Sequence, residues 1–285
     1  MTTAAPRHPP RFSLCSPALQ FSCSSSTDTT PGPEPPALST FRNVSLRGIA
    51  PLGCADVTDP RTAAAPAADF LRTTGASYDA IAKEYAGEHA DHLADSPLER
   101  GLLAAFAELA RAAAAPVADV GSGPGHVTAR LHDLGVPVFG VDLSPAMVDM
   151  ARRTHPHLRF HVGSMTALDL PDATLGGVLA LYSIIHVPDD HLPTALAEFH
   201  RALVPGGHVL LGFQWSSETP GLHLTERYGH EIDLAYHWRT PDQVAGLLAE
   251  ADLEPRSTTV REPRGEEKLP RGSVLARKPG PSPAG

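Results

Sequence analysis

Residues 117–126 read Val-Ala-Asp-Val-Gly-Ser-Gly-Pro-Gly-His. Four residues that suit a buried strand run into three glycines spaced two apart, and a helical pattern follows through Leu134. Glycines at this spacing let the backbone turn through positive φ and come close to a ligand. The helix that follows offers unpaired N–H groups and the positive end of its dipole. Such a loop belongs at the carboxyl end of an open α/β sheet, where these sheets bind small polar molecules.

The flanking sequence supports that architecture. Val136–Val141, Leu158–Val162, Gly176–Tyr182 and His208–Phe213 are short apolar runs that predict strands, with Glu254–Arg261 and Ser273–Arg277 as two later ones. Between them lie helical patterns. Ser144-Pro145 opens one that carries Met147 and Met150, Asp189–Leu203 forms another, and Thr240-Pro241 starts a third ending near Ala251. Upstream, Ser77 is expected to cap a helix with Tyr78, Ile81, Ala82 and Tyr85 on one face, and Pro97–Ala115 reads as a second helix. Alternation of helices with near-continuous apolar strands predicts a parallel sheet covered on both faces.

Residues 1–68 depart from this pattern. They hold 11 of the 29 prolines and all three cysteines, Cys15, Cys23 and Cys54, with no sustained periodicity. A segment of this composition buries too little apolar surface to offset its ordering entropy, so a disordered Pro/Ser-rich tail is expected. The folded domain is expected over residues 69–278, with 69–115 as N-terminal cap helices and 279–285 as a disordered end. The chain carries a net charge of −9, with 23 cations against 32 anions and no dense basic stripe. That argues against nucleic acid as partner and against an anionic membrane surface. No Cys-x-x-Cys occurs, so neither a disulfide framework nor a zinc site is expected, and a cytoplasmic location is the default.

The glycine loop discriminates among nucleotide ligands. A dinucleotide fingerprint wants a small residue where His126 stands, and the Gly-Lys-Ser/Thr of a phosphate loop is missing. Asp119, two residues before Gly121, would repel a pyrophosphate and welcome a cation, such as the amino group or sulfonium of S-adenosylmethionine. Asp142 ends the second strand, where a carboxylate accepts from both ribose hydroxyls. Leu143 and Met147 would wall one face of an adenine.

Together these segments resemble the class I S-adenosylmethionine-dependent methyltransferases, and most closely their small-molecule branch of the quinone-biosynthesis type. The resemblance rests on Val117–Gly125, on Val141–Met147, on Gly163-Ser164-Met165 with Leu168–Pro171, on Gly177–His186, and on Leu203-Val204-Pro205-Gly206-Gly207. It implies a Rossmann-like, seven-stranded, mostly parallel sheet with helices on both faces and the last strand antiparallel. It assigns Gly121, Gly123 and Gly125 to backbone contact with the methionine moiety of S-adenosyl-L-methionine, Asp119 to its amino group, Asp142 to the ribose, and Ser164 and Met165 to the adenine, and it counts Ser122 among the cofactor-binding residues. Tyr85 matches a position that closes over the cofactor.

Methyl transfer needs a base only when the acceptor arrives protonated. His186, after the fourth strand, is the candidate base. Gln214–Arg239 carries Trp215, His223, Tyr228, His230, Glu231, Asp233, Tyr236, His237 and Trp238, and is the candidate substrate-contacting stretch. His155, His157 and His161 lack carboxylates or thiols at ligand spacing, so no metal is expected; His89 and His92 read as a solvated helix face. The expected activity is transfer of a methyl group to O, N or C of a small-molecule acceptor. An S-adenosylmethionine-binding regulator without turnover is the alternative.

Overall fold

The computed structural model describes residues 66–89 and 93–280. The three cysteines, almost all of the expected tail, Asp91, His92 and residues 281–285 lie outside them. Six helices, α1 (Pro66–His89), α2 (Pro97–Ala112), α3 (His126–Asp133), α4 (Pro145–Thr154), α5 (Leu192–Ala202) and α6 (Pro241–Glu250), accompany nine strands among the described residues. These are β1 (Val117–Val120), β2 (Val138–Asp142), β3 (Arg159–Val162), β4 (Leu175–Leu181), β5 (Leu203–Gln214), β6 (Gly221–Arg227), β7 (His230–His237), β8 (Glu254–Arg261) and β9 (Arg271–Arg277).

Seven strands form one sheet in the order β3-β2-β1-β4-β5-β9-β8. β1, β2, β3, β4 and β5 pair in parallel, while β9, the last strand, runs antiparallel to both β5 and β8. The strand order reverses between β1 and β4, which opens a crevice at their carboxyl ends. All four residues of β1 are buried. Alternation along the strands sorts them into two cores. Ala118, Val120, Val178 and Ala180 meet Leu196, Phe199, Val244 and Leu248 of α5 and α6. Val117 and Leu179 meet Leu103, Phe106 and Leu131 of α2 and α3. Each large side chain removed from water contributes roughly 1.5–3 kcal/mol, so both helix layers are fixed to the sheet that presents the crevice.

Local rules set the helix starts near the site. Ser144 accepts from the Met147 N–H at 3.1 Å and Pro145 takes the first helical position of α4. α6 opens with a capping box in which Thr240 and Gln243 bond reciprocally. Ser77, however, does not cap a helix. α1 begins at Pro66 and Ser77 lies in its interior, where its hydroxyl donates to the Asp233 carbonyl and accepts from the Asp233 N–H, both at 3.0 Å. A tertiary partner on β7 therefore replaces the local cap that the residue type suggests.

β6 and β7 form a separate two-stranded hairpin. Its turn residues Tyr228 and Gly229 both have positive φ, 55° and 79°, the twist a two-residue hairpin loop needs. Ile232 and Leu234 of β7 pack with Ile81 of α1, and Tyr78, Tyr85 and Tyr236 close over them. The hairpin thus holds α1 beside the crevice.

Candidate active site

The crevice is a cleft with about 700 Å³ of empty space, its open mouth included. One side is the loop after β1 together with the ends of β2 and β3. Gly121, Gly123, Asp142, Leu143, Ser164 and Met165 line it, with Met147 of α4 behind Leu143. Two glycines explain the loop's shape. Gly121 has φ 78°, and a β-carbon there would overlap Ser183, whose hydroxyl is bonded to the Val120 carbonyl at 2.9 Å. Gly123 has φ 53° and faces open space, with nothing within 4 Å of where its β-carbon would stand. The first glycine admits the protein, the second leaves room for a ligand.

Asp142 accepts from the Gly123 N–H at 2.7 Å and from the Ser144 N–H at 2.9 Å. Burial pushes its carboxyl above the usual carboxylate range, while these backbone bonds pull the other way. A carboxylate held by one donor on each oxygen keeps lone pairs for a further pair of hydroxyls. This geometry fits the ribose of S-adenosylmethionine, and the open face of Gly123 fits its methionine end.

Three residues assigned to the ligand from the sequence do not line the cleft. Asp119 is buried inside β1 and accepts from the Thr128 hydroxyl of α3 at 2.6 Å; burial raises its pKa to about 7. Ser122 is buried and its hydroxyl has no partner. Gly125 adopts φ 88° at the start of α3, directly beneath Phe160. Strand alternation turns Asp119 inward onto α3, and Ser122 and Gly125 sit on the inner side of the loop, against Gly140 and Phe160.

Across the cleft stand Tyr78 and Tyr85 of α1, Tyr182, and His186 on the 3₁₀ turn Ile184–His186. The Ala235 carbonyl can only accept, so the 2.9 Å bond fixes a proton on Nδ1 of His186. Nε2 is then free of a proton and accepts from the Tyr78 hydroxyl at 2.8 Å. Burial, opposed by the bond to Ala235, lowers the His186 pKa to about 4, so the ring is neutral at pH 7. Arg239 grips the turn from behind. It is buried and donates to the carbonyls of Ile184 and Val187 and to Asp189.

Residues 117–207 match the model of a methyltransferase domain family. That span is a methyltransferase domain. A demethylmenaquinone methyltransferase of Chlorobaculum parvum is 35% identical over 92 residues, 32% of this chain and 37% of that protein. A malonyl-[acyl-carrier protein] O-methyltransferase of Serratia marcescens is 33% identical over 92 residues, 32% of this chain and 35% of that protein. The chain therefore spans little more than a third of the length of these relatives. A 1,6-didemethyltoxoflavin-N1-methyltransferase of Burkholderia thailandensis, solved with 1,6-didemethyltoxoflavin and S-adenosylhomocysteine bound, is 28% identical. That likeness covers 79% of this chain and 94% of that one, with a TM-score of 0.53. A Methanosarcina mazei protein at 18% identity and TM-score 0.53, covering 58% of this chain and 92% of that one, shares the fold.

The methyltransferase domain draws its far wall from residues that local sequence did not single out for that role. Tyr78 read only as an apolar helix position, and Arg239, which braces that wall from behind without lining it, only as the end of the candidate stretch. Conversely, no residue of Gln214–Arg239 lines the cleft. The stretch is a hairpin, and its alternation turns Ile232, Leu234 and Tyr236 toward α1. His223 pairs with Asp233 at 2.7 Å and His230 with Glu84 at 3.6 Å, outside the cleft. Trp238 lines a second, shallower cavity beside Arg239 and α6. A Tyr-Gly pair between two alternating runs was the signal for the hairpin.

Proposed function

We propose that this domain transfers the methyl group of S-adenosyl-L-methionine to an O, N or C atom of a small-molecule acceptor. The observation that carries the reading is Asp142, a half-buried carboxylate at the end of β2 held from below by Gly123 and Ser144 and open toward the cleft. S-adenosylmethionine, when bound, supplies a methyl carbon already activated by a sulfonium leaving group. Asp142 accepts from the ribose hydroxyls, and the backbone of Gly121 and Gly123 takes the methionine end. Leu143, Met147 and Met165 flank the adenine beside Ser164. Asp119 supports the loop from beneath through Thr128.

The far wall supplies position and dryness. His186 has its Nε2 lone pair committed to Tyr78 and a pKa of about 4, so it acts as an orienting wall, not as the base its position in the sequence suggested. Holding the acceptor in line and excluding water is then the main contribution to rate. The size of the cleft and the 1,6-didemethyltoxoflavin bound by the Burkholderia relative support a small acceptor. No described helix is long and apolar enough to cross a membrane; with the acidic net charge, this supports a cytoplasmic setting. Calorimetry tests the reading. S-adenosylmethionine and S-adenosylhomocysteine should bind and NAD should not. Binding of NAD alone would overturn it.

A further inference from the structure

Resting on that reading, we propose that the acceptor is an uncharged, planar ring compound, selected by a wall that is aromatic and free of charge. Beyond the Gly121–Asp142 side, the cleft is bounded by Phe70, Tyr78, Tyr85, Tyr182 and His186, five flat rings, with Val187 between them. Three of the five tyrosines in the chain are gathered here. Planar side chains favour planar partners through offset and edge-to-face contact.

The charges near this wall are turned away from it and already paired. Arg227 sits over the ring of Tyr85 at 5.5 Å, donates to the Tyr236 hydroxyl at 3.3 Å and pairs with Glu88 at 3.5 Å. Glu99 stands behind Tyr182, accepts from its hydroxyl and lies 3.9 Å from Arg261. Arg239 stands behind His186 and pairs with Asp189 at 2.7 Å. Asp142 is the single charged residue among those lining the cleft, and it belongs to the ribose. His186 is a neutral imidazole. A carboxylate on the acceptor would therefore lose water and gain no partner, which is strongly unfavourable, and an ammonium would exchange its water for ring faces alone.

The wall's own polar atoms are committed as well. The Tyr78 proton goes to His186, whose Nδ1–H goes to Ala235, and the Tyr236 hydroxyl neighbours Tyr78. The chain of bonds runs from Arg227 through the phenols to a carbonyl, so the wall is fixed in one arrangement before the acceptor arrives. It presents ring surface, with the donors of Tyr78, Tyr182 and His186 already committed.

The test uses the full chain and a naphthalene series of nearly constant size. S-adenosylhomocysteine is titrated first; if it fails to bind, the proposed function fails and the rings are not at issue. The loaded protein is then titrated with 1-naphthol, 1-hydroxy-2-naphthoate, 1-naphthylmethylamine and decahydro-1-naphthol. The neutral flat ring should bind at least about tenfold more tightly than the anionic, cationic or puckered analogue. Equal or tighter binding of a charged or puckered probe overturns the proposal. So does failure of 1-naphthol to bind protein that holds S-adenosylhomocysteine.

Discussion

The two sides of the cleft are assembled from chain in different ways. The cofactor side comes from one continuous stretch, residues 121–165, and presents mostly backbone: two positive-φ glycines, a carboxylate held by two N–H groups, and the start of α4. The acceptor side joins Tyr78 to His186 across 108 residues and Ser77 to Asp233 across 156, and presents side chains. Backbone geometry tolerates few substitutions, because a β-carbon at Gly121 or a missing carboxylate at Asp142 has no substitute. A side-chain wall can be rebuilt residue by residue with the sheet untouched. The same frame can thus keep one cofactor and exchange acceptors.

Changes on the cofactor side are expected to have the largest effects. Gly123→Val should abolish detectable binding of S-adenosylhomocysteine while circular dichroism shows the secondary structure retained. The β-carbon would meet no protein atom within 4 Å, so the conflict is with the ligand and with the positive φ. Retained affinity would show that the loop does not hold the cofactor. Asp142→Ala should weaken binding by about 2–4 kcal/mol, since two hydroxyls lose a charged acceptor. Part of that loss could be offset, because the Gly123 and Ser144 N–H groups become available. A calorimetric change below about 1 kcal/mol would remove Asp142 from the ribose.

The same contrast decides what could be read from the residues alone. The cofactor side was legible because its determinants are local. A strand, glycines at fixed spacing, a cap at Ser144 and an acid at a strand end all lie within one βαβ unit. Strand β1 was placed to the residue, and the order of elements followed from alternation. What escaped depends on tertiary partners. Ser77 has the composition of a cap, but its partner is a backbone 156 positions away. His186 was legible as a residue beside the site, but its tautomer and its bond to Tyr78 are set by Ala235 and α1, beyond local reach. Asp119 sits in the glycine motif, yet strand alternation turns it inward onto Thr128.

Asp119 sharpens the comparison from beneath the loop. Burial raises its folded pKa from 3.8 to about 7. Between those values the unfolded chain has released the proton and the folded chain retains it, so this residue makes stability fall as pH rises through that window. His186 acts oppositely: with a folded pKa of about 4, its contribution is present above 6.5 and lost as pH falls toward 4. Asp119→Asn keeps an acceptor for Thr128 and removes only the first term. Relative to the parent, the variant should gain about 1.4 kcal/mol per pH unit between pH 4 and 7, then level off. Chemical denaturation at four pH values measures this, and a constant difference would mean that Asp119 ionises normally in the folded domain.

The smallest expected effect belongs to the joint between α1 and the hairpin. Ser77 exchanges two 3.0 Å hydrogen bonds with the Asp233 backbone, near the irregularity in the hairpin between Leu224 and Glu226. Ser77→Ala removes both bonds and leaves an N–H and a carbonyl to find water, at a cost of about 1–2 kcal/mol. The apolar contact of Ile81 with Ile232 and Leu234 remains, so α1 should stay docked but open more often. Hydrogen exchange should quicken in α1 and β7 while β1, β4 and β5 keep their protection, because the two units are joined by side chains and not by the sheet. Affinity for S-adenosylhomocysteine should change by less than about twofold, since Gly123, Asp142 and Ser144 are untouched. If exchange quickened equally in β1 and β4, α1 and the central sheet would open as one unit. The acceptor wall could then not be altered independently of the cofactor side.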